Sequence, residues 1–542
     1  MPTQTLDSRA IITRPEFFRP PLEYPRIPYG DMLTRGAARG PENVAVVFRD
    51  ASLTYRELDA LTHRFARALR ALGVAQGDKV ALLTTNCPEY IIAFYAIARI
   101  GAVVSPMNPS YKEREIEYQL NDSEAVTAVV HGDLLPLVEA VRGQTPKLRH
   151  VVAIGPAPQA AGTAPHFARL IEREPAVPAP PPQIGWDDLV ALPYSSGTTG
   201  LPKGVLLSHK NLVCNNIQFV ASARITATDR LMIFLPFYHI YGAMLMGAAM
   251  YAGATAVLME RFEPTECMRL IALHKITLFF VVPPVLVMLS AWPELKKHDL
   301  SSIRFTMVGA APLAPEVGRR FRELTRVPVV QGYGLTEAAP LTHLNPIYSD
   351  ELNLPDSAGI PAHDTEQKVV DIETGEKILA PGEVGEICIR GPQVMQGYWK
   401  APDATAAAIR DGWLYTGDIG YVDERGYTFI QDRKKEMIKY KGFGIAPAEI
   451  EALLFEHPGV ADVAVIGKPD PEAGEIPKAF VVRKAGHETL TAEELTAFAK
   501  GRLAGYKTVH EIEFVQAIPK TASGKILRRV LKEQELAKKA RA

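Results

Sequence analysis

The stretch Tyr194-Ser195-Ser196-Gly197-Thr198-Thr199-Gly200-Leu201-Pro202-Lys203-Gly204-Val205 decides how this chain is read. A short apolar run, Leu189 to Pro193, precedes it, and Gly204 to Ser208 reads as a strand after it. Glycine permits the positive-φ conformations and close approach by which backbone N–H groups wrap an anion. Ser195, Ser196, Thr198 and Thr199 add hydroxyl donors, and Lys203 adds a positive charge. The fitting guest is a polyphosphate. The common G-x-x-x-x-G-K-[ST] nucleotide loop is absent, because Gly204 follows Lys203. Taken alone, the stretch also reads as a flexible surface turn.

Outward from this bend, apolar strands and amphipathic helices alternate. Thr54 and Glu57 make a capping box, followed by Leu58, Leu61, Phe65, Ala68, Leu69 and Leu72 at helical spacing. Strands are expected at 80–83, from 103 and at 125–130, with helices at 88–100 and 114–120 between them. Beyond the bend come helices at 209–223, 263–274 and 315–324 and strands at 277–282, 303–308 and 327–330. Such alternation predicts parallel sheets with helices on their faces. The expected division is one sheet from 50–154 and a second from 189–331, packed together. Gly155 to Pro182, dense in Ala and Pro, reads as a surface loop. After about Asp356, short strands punctuated by Thr374-Gly375, Pro381-Gly382, Asp411-Gly412 and Arg425-Gly426 predict a small β-rich, barrel-like unit. The charge cluster Asp432 to Glu436 then leads into a compact α+β tail.

A chain of 542 residues exceeds what one core supports. A formal net charge of -1 argues against electrostatic capture of nucleic acid or anionic membrane. Cys87, Cys214, Cys267 and Cys388 are scattered and form neither a metal nor a redox motif. No signal peptide is read in Met1 to Tyr29, and a cytoplasmic location is expected. Leu231 to Met259 lacks Lys, Arg, Asp and Glu. Pro236, His239, Gly242 and Gly253 interrupt it, so a buried strand, helix and strand are expected rather than a membrane span.

Four further stretches carry candidate chemistry. Gln331-Gly332-Tyr333-Gly334-Leu335-Thr336-Glu337 follows an apolar strand, where ligands favour open α/β sheets. Thr336 offers a hydroxyl there and Glu337 a carboxylate suited to Mg²⁺. Otherwise it is a helix start capped by Thr336. Asp418, in Trp413-Leu-Tyr-Thr-Gly-Asp418, has the acceptors for a ribose diol, or is a plain turn aspartate. Asp432 to Pro447 reads alone as a solvated basic hairpin. Pro519 to Arg529 reads as a basic amphipathic helix, with Lys525, Arg528, Arg529 and Lys532 on one face.

In their order and wording these motifs resemble the adenylate-forming superfamily, which includes acyl-CoA synthetases, 4-coumarate-CoA ligases, firefly-type luciferases and peptide-synthetase adenylation domains. The resemblance covers the chain from about residue 50 to 530. It implies an adenylation domain at 1–431, a hinge at 432–436 and a small mobile lid at 437–542. It implies that the Ser195–Lys203 bend holds the ATP phosphates, and that Gly309-Ala310-Ala311 and Gln331-Gly332-Tyr333-Gly334 hold the adenine. Thr336 would lie beside the nucleotide, with Thr198 and Glu337 as ligands of Mg²⁺. Asp418 would hold the ribose with support from Arg433. Lys525 would be the catalytic lysine of adenylation, and Lys435 the hinge. Lys439 would face the site during thioester formation, with Lys441 and Gly442 near CoA. Many relatives have Gln where Gly444 stands, so a side-chain contact from that position is not expected.

His239 occupies the family's position beside the acyl group. Tyr241, Met244, Leu245, Met307, Val308, Gly309, Gly334, Ala339 and Pro340 are the expected acyl pocket. Plant 4-coumarate ligases often carry lysine where Met307 stands, and an apolar side chain there suits an aliphatic chain better than a phenol. The wording is most similar to bacterial medium- or long-chain fatty acyl-CoA ligases. The expected reaction joins a small carboxylic acid to CoA through an acyl-adenylate at the expense of ATP. An aryl-CoA ligase, a carrier-protein loader, a luciferase-like oxygenase and a non-catalytic adenylate binder remain as alternatives. A homodimer stays open, and chain length, pathway and regulation are not legible.

Overall fold

The computed structural model describes residues 19–155, 165–177, 182–195, 202–311, 313–441, 443–499, 502, 507–521 and 524–539. Among these residues four sheets form. The first runs in the order Gly397–Tyr398, Lys203–Ser208, Leu189–Ala191, Val103–Met107, Lys79–Leu83, Ala125–His131, His150–Ile154. Its strands from Leu189–Ala191 onward are parallel, as strand–helix alternation requires. The second is ordered Ile360–Pro361, Leu341–Leu344, Val329–Gly334, Phe305–Val308, Leu278–Val281, Arg230–Ile233, Thr255–Leu258, Val44–Phe48, Ala51–Thr54.

The expected division of the two sheets is corrected at both ends. Val44–Phe48 pairs in parallel with Thr255–Leu258 of the second sheet. Leu189–Ala191 and Lys203–Ser208 join the first. Apolar periodicity locates a strand but does not name its neighbour. The helices between the sheets bury most of their surface. Nine residues of Pro88–Arg99, from Tyr90 to Ala98, are buried, and so is nearly all of Ile240–Ala252. One core cluster accordingly draws Val80, Leu82 and Val104 from the first sheet and Leu231, Phe279 and Met307 from the second. Ala81 and Leu83, on the opposite face of their strand, feed a separate cluster. The apolar run 231–259 is a strand, a helix of 13 residues and a strand. Among the described residues no helix is long and apolar enough to cross a membrane.

Thr54 caps Tyr55–Ala71 in a full capping box with Glu57, an arrangement worth about 1 kcal/mol. The expected loop at 155–182 contains the helix Phe167–Arg173, which seats Phe167 against Phe65 with ring centroids 4.4 Å apart. Its anchors are few, so the Ala and Pro around them mask the pattern. Residues 19–28 form an arm without regular structure. Arg19 ties it to the Leu344 and Pro361 carbonyls, and Asp364 accepts hydrogen bonds from Leu22 N and the Tyr24 hydroxyl.

The β-rich unit is the third sheet, Glu366–Val370, Gly385–Arg390, Trp413–Val422, Ile409–Arg410, with Thr428–Arg433 on the long strand Trp413–Val422. The fourth sheet joins Phe443–Ile445, Ile438–Tyr440, Gly474–Arg483, Val460–Asp470 and Glu511–Phe514. Pro447–Phe455 and Ala492–Ala499 pack on one face around Ile450, Leu454 and Leu495. Arg528–Lys539 covers the other through Leu531.

Candidate active site

A cavity of about 2180 Å³ is lined by residues that follow the strands of the second sheet: Leu235, Val282, Gly309 and Leu335. This is where open α/β sheets place ligands. The same cavity is lined by Ser195, Lys203, His239, Glu337, Arg433 and Lys525. It therefore brings together the bend near the middle of the chain and the lysine near the C-terminus.

The two ends of the bend pair as an antiparallel ladder, Tyr194 with Gly204 and Ser195 with Lys203. Its base is fastened from outside. The Tyr194 hydroxyl donates to Asp122 Oδ2 at 2.5 Å, and the Tyr118 hydroxyl to the Pro202 carbonyl at 2.8 Å. Ser196, Gly197, Thr198, Thr199 and Gly200 lie outside the described residues.

Val329–Gly334 runs on as a strand through Gly332, Tyr333 and Gly334, and the short 3₁₀ helix Thr336–Ala338 follows. Gly332, Tyr333, Gly334, Thr336 and Glu337 all line the cavity. One oxygen of the Glu337 carboxylate accepts from the Tyr398 hydroxyl at 2.9 Å. Among the described residues no three His, Cys, Asp or Glu side chains gather as a metal site, so Glu337 stands as a single carboxylate.

Asp418 is not a turn residue; it lies within the strand Trp413–Val422 and is buried. Tyr333 donates its hydroxyl to Asp418 Oδ2, and Arg433 Nε lies 2.9 Å from Oδ1. Tyr333 and Arg433 line the cavity and Asp418 sits behind them. Gln331 is not among the residues that line the cavity; its amide donates to the Pro355 carbonyl and accepts from Leu313 N at 3.3 Å. Gly309 and Ala310 line the cavity, and Ala311 is half-buried beside them.

His239 caps Ile240–Ala252, its Nδ1 accepting from Tyr241 N at 3.3 Å. That contact leaves the ring proton on Nε2. Burial, helped by the Lys525 charge, holds its pKa down to about 4. Burial and the Arg433 charge likewise lower the Lys525 ammonium to about 8. Tyr241, Met244, Met307, Gly309, Gly334 and Pro340 line the cavity as expected. Leu245, Val308 and Ala339 do not; they are buried behind it. Strand alternation turns Val308 from the face of Met307. The Tyr241 hydroxyl is buried and has no hydrogen-bond partner among the described residues.

Lys435 lines the cavity. Lys439, on Ile438–Tyr440, is exposed away from it, with its N–H on Glu475. Lys441 is also exposed, and Gly442 lies outside the described residues.

Residues 33–399 match the model of the AMP-binding enzyme family, and residues 449–525 that of the AMP-binding enzyme C-terminal domain. The chain belongs to the adenylate-forming AMP-binding enzymes. It is 38% identical to a long-chain-fatty-acid–CoA ligase of Bacillus subtilis (strain 168) over 543 residues, 95% of this chain and 96% of that protein. It is 40% identical to a 4-coumarate–CoA ligase of Pinus taeda over 506 residues, 90% of this chain and 91% of that one. Among solved structures, the anthranilate CoA ligase AuaEII in complex with anthranoyl-AMP superposes with a TM-score of 0.87 at 30% identity, covering 95% of this chain and 98% of that one. This AMP-binding enzyme is an AMP-forming acyl-CoA synthetase.

Three features of its site were not legible. Tyr398 reaches Glu337 across 61 positions. Pro284 supports the turn that carries Lys525. Arg528 joins Glu451 at 2.7 Å, both side chains 12% exposed, three positions after Lys525. In the sequence Arg528 differs in no way from the other basic residues of its helix.

Proposed function

We propose that this enzyme activates a medium- or long-chain fatty acid, with Lys525 serving adenylation and the Lys439 face of a turning lid serving thioester formation. The observation that carries the reading is that Ser195, Lys203, His239, Met307 and Lys525 line one cavity.

The acid and ATP are both anionic and repel each other. Lys203 and Lys525 offset that repulsion and stabilise the charge that builds on the α-phosphate. Neutral His239 offers its Nε2–H to the anionic guest. One carboxylate oxygen attacks the α-phosphorus, the bond to the bridging oxygen breaks, and pyrophosphate leaves. The acyl-adenylate is easily hydrolysed, and the 437–542 segment, with Lys525 inside the cavity, shields it. The CoA sulfur then attacks the acyl carbon and AMP leaves. Lys439 is exposed here, so the second step requires the lid to turn about Lys435. Mg²⁺ fits Glu337, since it takes one or two protein oxygens and leaves the rest to phosphate and water. When bound it neutralises phosphate charge.

Apolar Met307 and Met244 in the cavity wall support an aliphatic acid. The unpartnered Tyr241 hydroxyl favours a second reading, an aryl acid bearing a polar substituent, because a buried hydroxyl gains from a partner. A panel of acids from C2 to C18 with benzoate and coumarate, assayed for CoA-dependent AMP release, separates them. A maximum among the longer aliphatic acids supports the first reading, and a maximum at coumarate the second.

A further inference from the structure

Tyr398 belongs to none of the sequence motifs, yet it touches two of them. It lies on Gly397–Tyr398, which pairs antiparallel with Lys203–Ser208, the strand that leaves the phosphate bend. Its hydroxyl donates to Glu337 Oε1 at 2.9 Å, and the Lys203 ammonium lies 5.7 Å from its ring centroid.

The ring is held from several directions. Tyr398 N donates to Thr405 Oγ1 at 2.9 Å, and Trp399 N to the Gly204 carbonyl at 2.8 Å. Gly397 has φ +148, and a Cβ there would lie 2.6 Å from Thr405 Cγ2. Met395 N donates to the Glu337 carbonyl at 2.9 Å, fixing the other end of the contact.

We infer that Tyr398 is a positioning residue: it occupies one oxygen of Glu337, so that the carboxylate presents the other to a divalent cation on the triphosphate. This rests on the assignment of Glu337 as a cation ligand proposed above. A second role follows from the same ring, which holds the Lys203 ammonium on the phosphate side of the site. Tyr398→Phe separates the two, since it keeps the ring and removes only the hydroxyl.

The test is calorimetric titration of ATP into the full chain without acid, so that no turnover occurs, once with Mg²⁺ and once with EDTA. Wild-type protein is expected to bind ATP more tightly with Mg²⁺. In Tyr398→Phe that gain should shrink about tenfold, the scale of one hydrogen bond to a charged group. Binding in EDTA should stay within about twofold, because the ring under Lys203 remains. In a Glu337→Gln background Tyr398→Phe should have no further effect on the Mg²⁺ gain. A full Mg²⁺ gain in Tyr398→Phe overturns the inference. So does an equal loss with and without Mg²⁺, which would mark a general structural role. Absence of any Mg²⁺ gain in the wild type would instead overturn the assignment of Glu337, and the inference with it.

Discussion

Gly524 rests against the ring of Pro284. A Cβ at this position would lie 2.6 Å from Pro284 Cδ, and Gly524 has φ +81, where other residues are strained. Pro284 is the second residue of the helix Pro283–Ala291 of the large α/β part, and Gly524 immediately precedes Lys525. The Thr521 hydroxyl accepts from Lys525 N at 3.1 Å, and the Thr521 N–H donates back to the Lys525 carbonyl at 2.8 Å. The turn that carries Lys525 is thus seated by a contact that only glycine allows.

Gly524→Ala should therefore move Lys525 out of the cavity without touching ATP or acid. The expected result is an adenylation rate lower by about tenfold or more, since small misplacements of a catalytic group are costly. Thioester formation from supplied acyl-adenylate should be nearly unchanged. Pyrophosphate release and acyl-CoA formation, measured separately, check this.

The pH dependence follows from Lys525 and His239. Lys525 titrates at about 8 in the free protein, so its ammonium is present below that pH and lost above it. The kcat/KM of adenylation should be level at neutral pH and fall about tenfold per unit above about 8. His239, held down to about 4, stays neutral through this range and adds no limb near its ordinary value. Bound triphosphate favours the charged lysine, so the limb in kcat should lie higher. Lys525→Arg should be slower and should lose the limb, because arginine does not titrate there. A limb that persists in Lys525→Arg would assign it to another group.

The acid pocket gives a third expectation. Tyr241 stands against Gly309, its Cε1 3.2 Å from where a Cβ of Gly309 would be. Met307 lies over Gly332, where it fills the space of the missing side chain. Met307→Lys should weaken activity on long aliphatic acids by about tenfold or more, because a buried unpaired ammonium is costly. It should raise relative activity on coumarate. Tyr241→Phe should leave aliphatic acids nearly unaffected. A loss confined to hydroxylated aryl acids in Tyr241→Phe would favour the aryl reading. Competition assays with mixed acids provide the measurement.

How much of this was written in the chain depends on the range of each interaction. Local signals were legible: the Thr54–Glu57 box starts a helix, and Gly204 to Ser208 is a strand leaving the bend. Pairing between distant segments was not. Val44–Phe48 belongs to the second sheet because Thr255–Leu258 receives it, and nothing near Val44 says so. The site divides the same way. His239, Glu337 and Lys525 were expected at one site because their motifs name them, and all three line the cavity. Tyr398 and Pro284 were not, because their partners are brought in by the fold. Val308 was placed in the pocket by nearness to Met307 in sequence, and the alternation of side chains along the strand decides otherwise.

The bend at 195–203 and Lys525 are expected to act on the same ATP, in the first half-reaction only. The direct measurement is Lys525→Ala in both half-reactions. Adenylation should fall by roughly 10²–10³, the scale of removing one preorganised charge at a developing anion. Conversion of supplied acyl-adenylate and CoA to acyl-CoA should continue at close to the wild-type rate. An equal loss in the two half-reactions, or none in the first, would contradict the account.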